Sequence, residues 1–300
     1  MAEQRIGLIG LGKMGHGIGK NLLRKGYALT VYDVDPTAVT SLAAFGATPA
    51  ASPKQVAERS GIVVTVLPDG PDVERVVLGP DGVLSGARPG TIVLDCSTID
   101  PEVTRRIEAA MRAAGCGMVD AGMGGLPPAA EDGTLLLMVG ATPEDFERVK
   151  PLLDAMGRQS FHCGGPGAGM SIKLINNLLA LAILSADLEA LAMGVRAGLK
   201  PDVVLDVLRS TFADNKLLHT LVPDKILKGD HEPGFKAGLA HKDAGLAMTL
   251  ASNLRVPIWT MGQVRQLLSL VLAQGKGEQA HTVLATAIEE FIGTRFSQWK

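Results

Sequence analysis

Three hundred residues leave room for about two domains, and a chain that is 46% hydrophobic and 20% charged can bury a sizeable core. The formal net charge is −2 with no basic stripe, which argues against nucleic acid or an anionic membrane surface as a partner. Cys96, Cys116 and Cys163 are odd in number, and neither they nor the six histidines have metal-ligand spacing, so a bound metal is not expected and reduced thiols in a cytoplasmic protein are.

Met1–Arg5 runs straight into the apolar segment Ile6–Leu11, and Lys13 interrupts it, so no signal peptide is expected. Ile6–Leu11 reads as a buried parallel strand. It passes into Gly10-Leu11-Gly12-Lys13-Met14-Gly15, a helix to about Lys25, a stop at Gly26 and a second strand, Ala28–Tyr32, ending at Asp33. G-x-G-x-x-G between a strand and a helix, with an acidic residue about 20 positions on, is the dinucleotide fingerprint. The glycines allow a tight turn and close approach to a pyrophosphate, whose charge meets the N–H groups of the helix start. Asp33 accepts from the ribose hydroxyls and repels a 2′-phosphate, and no arginine follows it, so NAD is expected over NADP.

The alternation continues with a helix capped at Ser52-Pro53 and reaching Arg59, then the strand Ile62–Leu67, closed by Leu67-Pro68. A strand at Thr91–Leu94 leads to Asp95-Cys96-Ser97-Thr98, and Asp100-Pro101 opens the next helix. Ser97 and Thr98 thus fall at a strand's carboxyl end, where either a ligand or a helix cap is served. A strand Met118–Ala121, a loop Gly122–Gly133, a strand Thr134–Val139 and a helix Pro143–Met156 follow. The loop's glycines at 122, 124 and 125 can present N–H groups to an anion or make an ordinary connection.

Beyond Ser160–Cys163 the pattern changes. Gly164–Gly169 introduces a run without Gly or Pro from Met170 to Met193, whose apolar residues point all round a 3.6-residue period, so the helix is expected to be buried on most sides. Further helices are expected at Pro201–Ser210, Lys216–Leu227, Leu239–Leu254, Met261–Ala273 and Glu278–Phe296. The fold expected is α/β: a Rossmann dinucleotide-binding domain over 1–165, then an all-helical domain over 166–300, joined by the long helix. Ser185, Asp187 and Glu189 make that helix a poor membrane span. Lys173 and Asn177 are four apart and share a helix face, with Asn176 beside them. A lysine in an apolar helix loses hydration and its pKa falls unless a partner holds the charge, which is how a catalytic lysine is made; the plainer alternative is snorkelling to solvent. Charge also interrupts the apolar sequence Leu239-Ala240-His241-Lys242-Asp243, where Asp243 pairing Lys242 at a solvated helix start is the plain reading.

Gly10–Gly15, Asp95–Pro101, Asp120–Gly133, Gly167–Asn177 and Lys242-Asp243, in this order, resemble the β-hydroxyacid dehydrogenases, a family that includes 3-hydroxyisobutyrate dehydrogenase, tartronate semialdehyde reductase and sulfolactaldehyde reductase. The resemblance covers nearly the whole chain. It implies that Lys173 is the catalytic lysine, that Asn177, Ser97, Gly124 and Gly125 meet the substrate, and that Leu67, Pro68, Asp72, Thr98 and Lys242 flank NAD alongside the Gly10–Gly15 loop and Asp33. It also implies a homodimer or homotetramer assembled through the helical domain. One departure stands out: the family commonly has Ser-Gly-Gly where this chain has Gly124-Gly125-Leu126, and sulfolactaldehyde reductases have Gly-Arg there. The substrate is thus expected to be a small 3-hydroxy acid or its semialdehyde, with a sulfonate- or phosphonate-bearing carbonyl compound as the alternative. A protein that only senses or scaffolds NAD is the non-enzyme alternative.

Overall fold

The computed structural model describes residues 5–300. The first four residues of the Met1–Arg5 segment lie outside them. The chain divides into two compact units, one ending at Lys173 and one running from Leu174 to Lys300. The sequence places the change at 165/166; the division falls later because the first turn of the long helix is bonded into the sheet of the first unit.

In the first unit β1 (Ile6–Ile9), α1 (Lys13–Arg24), β2 (Leu29–Tyr32), α2 (Pro36–Ala43), β3 (Thr48–Pro49), α3 (Pro53–Glu58) and β4 (Ile62–Thr65) come first. Then follow α4 (Gly70–Leu78), α5 (Val83–Gly86), β5 (Ile92–Asp95), α6 (Pro101–Ala113), β6 (Gly117–Gly124), α7 (Pro127–Asp132), β7 (Leu135–Gly140), α8 (Pro143–Met156) and β8 (Gly157–Gly164). They build one eight-stranded sheet in the order β3-β2-β1-β4-β5-β6-β7-β8. All pairings are parallel except β6 with β7. Strand residues alternate between two cores. Ile6, Leu8, Ile62, Val64, Ile92 and Leu94 enter one, and Ile9, Val63, Val93 and Met118 the other. A parallel sheet covered on both faces requires such unbroken apolar strands. Strand order reverses between β1 and β4, which makes their carboxyl ends the crevice where doubly wound sheets take ligands.

Local caps explain most helix starts. Asp35, Ser52, Asp69, Asp100 and Thr142 each accept an N–H from the first turn of α2, α3, α4, α6 and α8, with Pro in that turn every time. The structure adds α2, β3, α4 and α5 to the elements read from the sequence, and it changes others. The stretch 122–133 is not all loop: β6 continues to Gly124, and Pro127-Pro128 starts the short α7, which Gly133 ends at φ +67°. An edge strand, β8, follows α8 and is exposed over most of its length, so it lacks the apolar run that marks a buried strand.

α9 (Ala168–Arg196) contains the division between the units, and α10 (Pro201–Arg209), α11 (Lys216–His219), α12 (Ala237–Asn253), α13 (Val264–Ala273) and α14 (Leu284–Ile292) follow. Burial of α9 is narrower than expected. Leu174, Leu178, Leu181, Leu184, Leu188 and Leu191 form one buried stripe, whereas Ile175 and Leu179 are about half exposed and Met193 is open. By length and composition α9 could cross a membrane, but half of its most apolar window is buried in the protein. The helix expected over Lys216–Leu227 breaks after His219 into a π-helical turn, Val222–Ile226, because Pro223 has no N–H for an α ladder. The one expected over Glu278–Phe296 is reduced to α14 between short 3-10 turns, with Gly293 at φ +68° ending it.

Candidate active site

At the end of β1 the chain turns at Gly10, φ +89°, a conformation that favours glycine. A Cβ there would stand 2.2 Å from the Val66 carbonyl oxygen, and one at Gly15 would stand 1.9 Å from that of Gly10. Gly12 is different. Its φ of −61° and ψ of −172° suit any residue, and a Cβ on it meets nothing within 4 Å among the described residues. Gly12 is also the N-cap of α1, where no side chain caps the helix and no acidic residue occupies the first turn. The first N–H groups of α1, those of Lys13, Met14 and Gly15 among them, thus have no side-chain cap among the described residues. That is the cradle a pyrophosphate requires. Asp33 follows β2, accepting the Leu11 N–H at 2.5 Å and the Asp35 N–H at 2.8 Å. Its carboxylate is pinned against the loop, half-buried, with lone pairs left for a ribose. The residues present fit a dinucleotide.

At the neighbouring edge Asp95 Oδ1 accepts from the Thr65 hydroxyl at 2.7 Å, the Ser97 hydroxyl at 2.6 Å and the Ser97 N–H at 3.1 Å. The Ser97 oxygen in turn accepts the Leu67 N–H at 2.8 Å. Ser97 is 2% exposed and its hydroxyl proton is already given to Asp95, so its geometry is that of a tie between the ends of β4 and β5. In this arrangement the Ser97 hydroxyl is engaged by Asp95 and the Leu67 N–H, and a substrate contact would require it to turn. Thr98 is half-buried beside it, Pro68 is exposed after Leu67, and Asp72 forms an ion pair with Arg75 in the first turns of α4.

Asp120 on β6 is buried as completely as Asp95. Its side chain is 0% exposed, and Oδ1 and Oδ2 accept the N–H groups of Gly167 and Met170 at 2.6 and 2.7 Å. Desolvation pushes its pKa up to about 7, with the charge of Asp95 adding to the rise and the two N–H groups opposing it. One turn into α9, Lys173 lays its stem against Gly122 and donates from Nζ to the Met123 carbonyl at 2.6 Å. Gly124 closes β6 and Gly125, at φ +137°, turns the chain toward α7. These residues of the first unit thus place an ammonium beside a glycine turn.

Within the second unit Asn177 donates to Asp243 Oδ2 at 2.8 Å, and Lys242 Nζ lies 3.4 Å from Asp243 Oδ1. Asp243 is 3% exposed and joins α9 to α12. The pairing of Lys242 with Asp243 matches the plain reading of that motif, but Asp243 is buried rather than solvated, and the bond to Asn177 adds the long-range part. Sequence reasoning passed over Asp120 and Asp243 as site residues. For Asp243 the charge inside an apolar run was the available signal; for Asp120 there was only its place at a strand's end.

Two family models match the chain. One, described as the NAD binding domain of 6-phosphogluconate dehydrogenase, spans residues 5–165, and the other, described as NAD-binding of NADP-dependent 3-hydroxyisobutyrate dehydrogenase, spans residues 167–288. The chain belongs to the 3-hydroxyisobutyrate dehydrogenase family. It is 40% identical over 288 residues to 3-sulfolactaldehyde reductase of Escherichia coli, covering 96% of this chain and 97% of that protein. It is 38% identical to NAD-dependent L-serine dehydrogenase of Pseudomonas aeruginosa, covering 94% and 96%. The solved structure of Mycobacterium tuberculosis 3-hydroxyisobutyrate dehydrogenase with L-serine superposes with a TM-score of 0.89 at 28% identity, over 95% of this chain and 99% of that one. This family member is an NAD(P)-dependent oxidoreductase acting on CH–OH groups, a hydroxyacid dehydrogenase.

Proposed function

We propose that the chain uses NAD to oxidise a small 3-hydroxy acid, or NADH to reduce the matching semialdehyde, with Lys173 as the acid–base group. The observation that carries this reading is the Lys173 ammonium held 2.6 Å from the Met123 carbonyl, beside the glycines that close β6. The nicotinamide cofactor, when bound, accepts or supplies the hydride. Lys173 takes the hydroxyl proton during oxidation and returns it during reduction, while the Met123 carbonyl fixes where Nζ sits. Asn177, one turn along the same helix, orients the substrate oxygen, and N–H groups at Gly124 and Gly125 receive its acidic group. Ser97 acts by tying the β4 and β5 ends together rather than by touching the acid. On the family resemblance, Leu67, Pro68, Asp72, Thr98 and Lys242 are assigned in this proposal to positions beside the cofactor.

NAD is favoured over NADP because Asp33 puts a carboxylate where a 2′-phosphate would bring like charge. A homodimer or homotetramer in the cytoplasm completes the proposal, supported by the exposed apolar residues Ile175, Leu179 and Met193 on α9. Replacing Lys173 with Ala is expected to lower kcat at least about 100-fold while NADH binding survives. Absorbance at 340 nm with 3-hydroxyisobutyrate and L-serine checks it, and a variant that keeps most of its turnover refutes the role.

A second reading has its own support. The similarity to 3-sulfolactaldehyde reductase, with bare glycines at 124 and 125, favours room for a sulfonate. Loss of the arginine that sulfolactaldehyde reductases have there removes a charge-assisted pair, so the carboxylate stays ahead. A tenfold higher kcat/KM for 3-sulfolactaldehyde than for its carboxylate analogue reverses that order.

A further inference from the structure

Five helices of the first unit are capped by the residue just before them, at no cost in burial. α9 is held differently. The N–H of Gly167, the residue just before it, and that of Met170 in its first turn go to a carboxylate 47 and 50 residues earlier in the chain, on β6. That carboxylate is wholly buried, so ionising it there carries a desolvation penalty that a surface cap avoids. A local Ser or Asp would cap the Met170 N–H as well, and what it could not do is fix α9 against β6. The fixing is tight. Oδ1 of Asp120 lies 2.4 Å from where a Cβ on Gly140 of β7 would stand, and a Cβ on Gly169 would stand 2.4 Å from the Met138 carbonyl oxygen and 2.7 Å from that of Asp120. Three residues along β6 from Asp120, the Met123 carbonyl receives Lys173 Nζ. One strand therefore holds both the start of the helix and the tip of the side chain that the helix delivers.

We infer that Asp120 is a positioning residue for Lys173: by binding the first turn of α9 to β6 it sets the place of the lysine's Nζ. This rests on the reading of Lys173 as the acid–base group. The gain expected from such positioning is large, since a displacement of about 1 Å can cost 100-fold in rate. Groups that titrate around Asp120 are Asp95, its register partner on β5, Cys163 on β8, whose thiol is pushed up by burial and by the charge of Asp120, and Lys173 itself one turn along α9.

The test is Asp120→Asn, which keeps the shape and one acceptor but turns the other into a donor facing an N–H. Oxidation of 3-hydroxyisobutyrate or L-serine, whichever the wild type turns over, is followed at 340 nm from pH 6 to 10 beside Lys173→Ala. The expected result for Asp120→Asn is a kcat at least tenfold lower, an NADH Kd within threefold of wild type, and an acid limb of kcat displaced to lower pH, because removing a negative charge from the strand that holds Nζ leaves the ammonium less stabilised. Should Asp120→Asn not fold, Asp120→Ser removes the buried charge, keeps one acceptor and carries the same expectation. A kcat within threefold of wild type, or a fall in kcat matched by equal loss of NADH binding with the limb unmoved, overturns the inference. If Lys173→Ala itself keeps its turnover, the acid–base reading has failed, whatever Asp120→Asn does. If Lys173→Ala is inactive and Asp120→Asn is not impaired, only the positioning role has failed.

Discussion

Among the three glycines of the first turn, Gly10 and Gly15 are demanded by backbone packing and Gly12 is not. An alanine at 10 or 15 meets a carbonyl oxygen well inside contact distance, and at 10 it must also hold a positive φ. Either change is expected to cost roughly 1–3 kcal/mol or more in denaturant unfolding. Gly12→Ala meets no atom of the described residues within 4 Å, so its unfolding midpoint should stay near wild type while its NADH Kd weakens at least about tenfold by obstructing close approach. An unchanged Kd, read by fluorescence titration, would show that the clear space at Gly12 is not where the pyrophosphate goes. At Asp33 the question is charge. Asp33→Asn keeps a partner for Leu11 yet removes the repulsion of a 2′-phosphate, and the NAD/NADP ratio of kcat/KM is expected to fall about tenfold or more. A wild type that already turns over NADP as well as NAD overturns the cofactor choice.

The long helix shows how a sequence pattern under-determines an element. α9 is apolar on several sides, yet the second unit packs against one line of it, Leu178 through Leu191 at spacings of three and four. Replacing the buried Leu181 with Ala should cost about 2–5 kcal/mol through the lost burial and the cavity left behind. The same change at Leu179, 48% exposed, should cost well under 1 kcal/mol in the monomer. Equal costs at the two positions, measured by urea unfolding below the concentration of any self-association, would mean that the Leu179 side is covered as well. Where the other helices end is decided by single residues: Pro223 interrupts one ladder, and Gly293 in the left-handed region stops another.

At the scale of the whole molecule the buried carboxylate of Asp120 links pH to stability. Its pKa is raised from the ordinary carboxylate value to about 7, so between about pH 4 and pH 7 the folded chain holds a proton that the unfolded chain has released. The sign follows directly: this group's contribution is present at low pH and is lost as pH rises through 7. Wild type should therefore lose stability relative to Asp120→Asn between pH 5 and pH 8, and a difference that stays constant across that range shows that Asp120 does not titrate there. The sequence alone determined the Rossmann unit, because a glycine turn between an apolar strand and a helix, with an acid at the next strand's end, is local chemistry that admits one reading. It determined the helical second half for the same reason, since each helix carries its own period and breakers. Lys173 and Asn177 were legible too, as polar residues four apart in an apolar run. Only the tertiary structure decided what binds Lys173, that the Ser97 proton belongs to Asp95, and that Asp120 and Asp243 are ties rather than ordinary buried acids. Those bonds join residues from 2 to 66 positions apart, most of them on different elements, and the long ones have no period or spacing for a sequence to show.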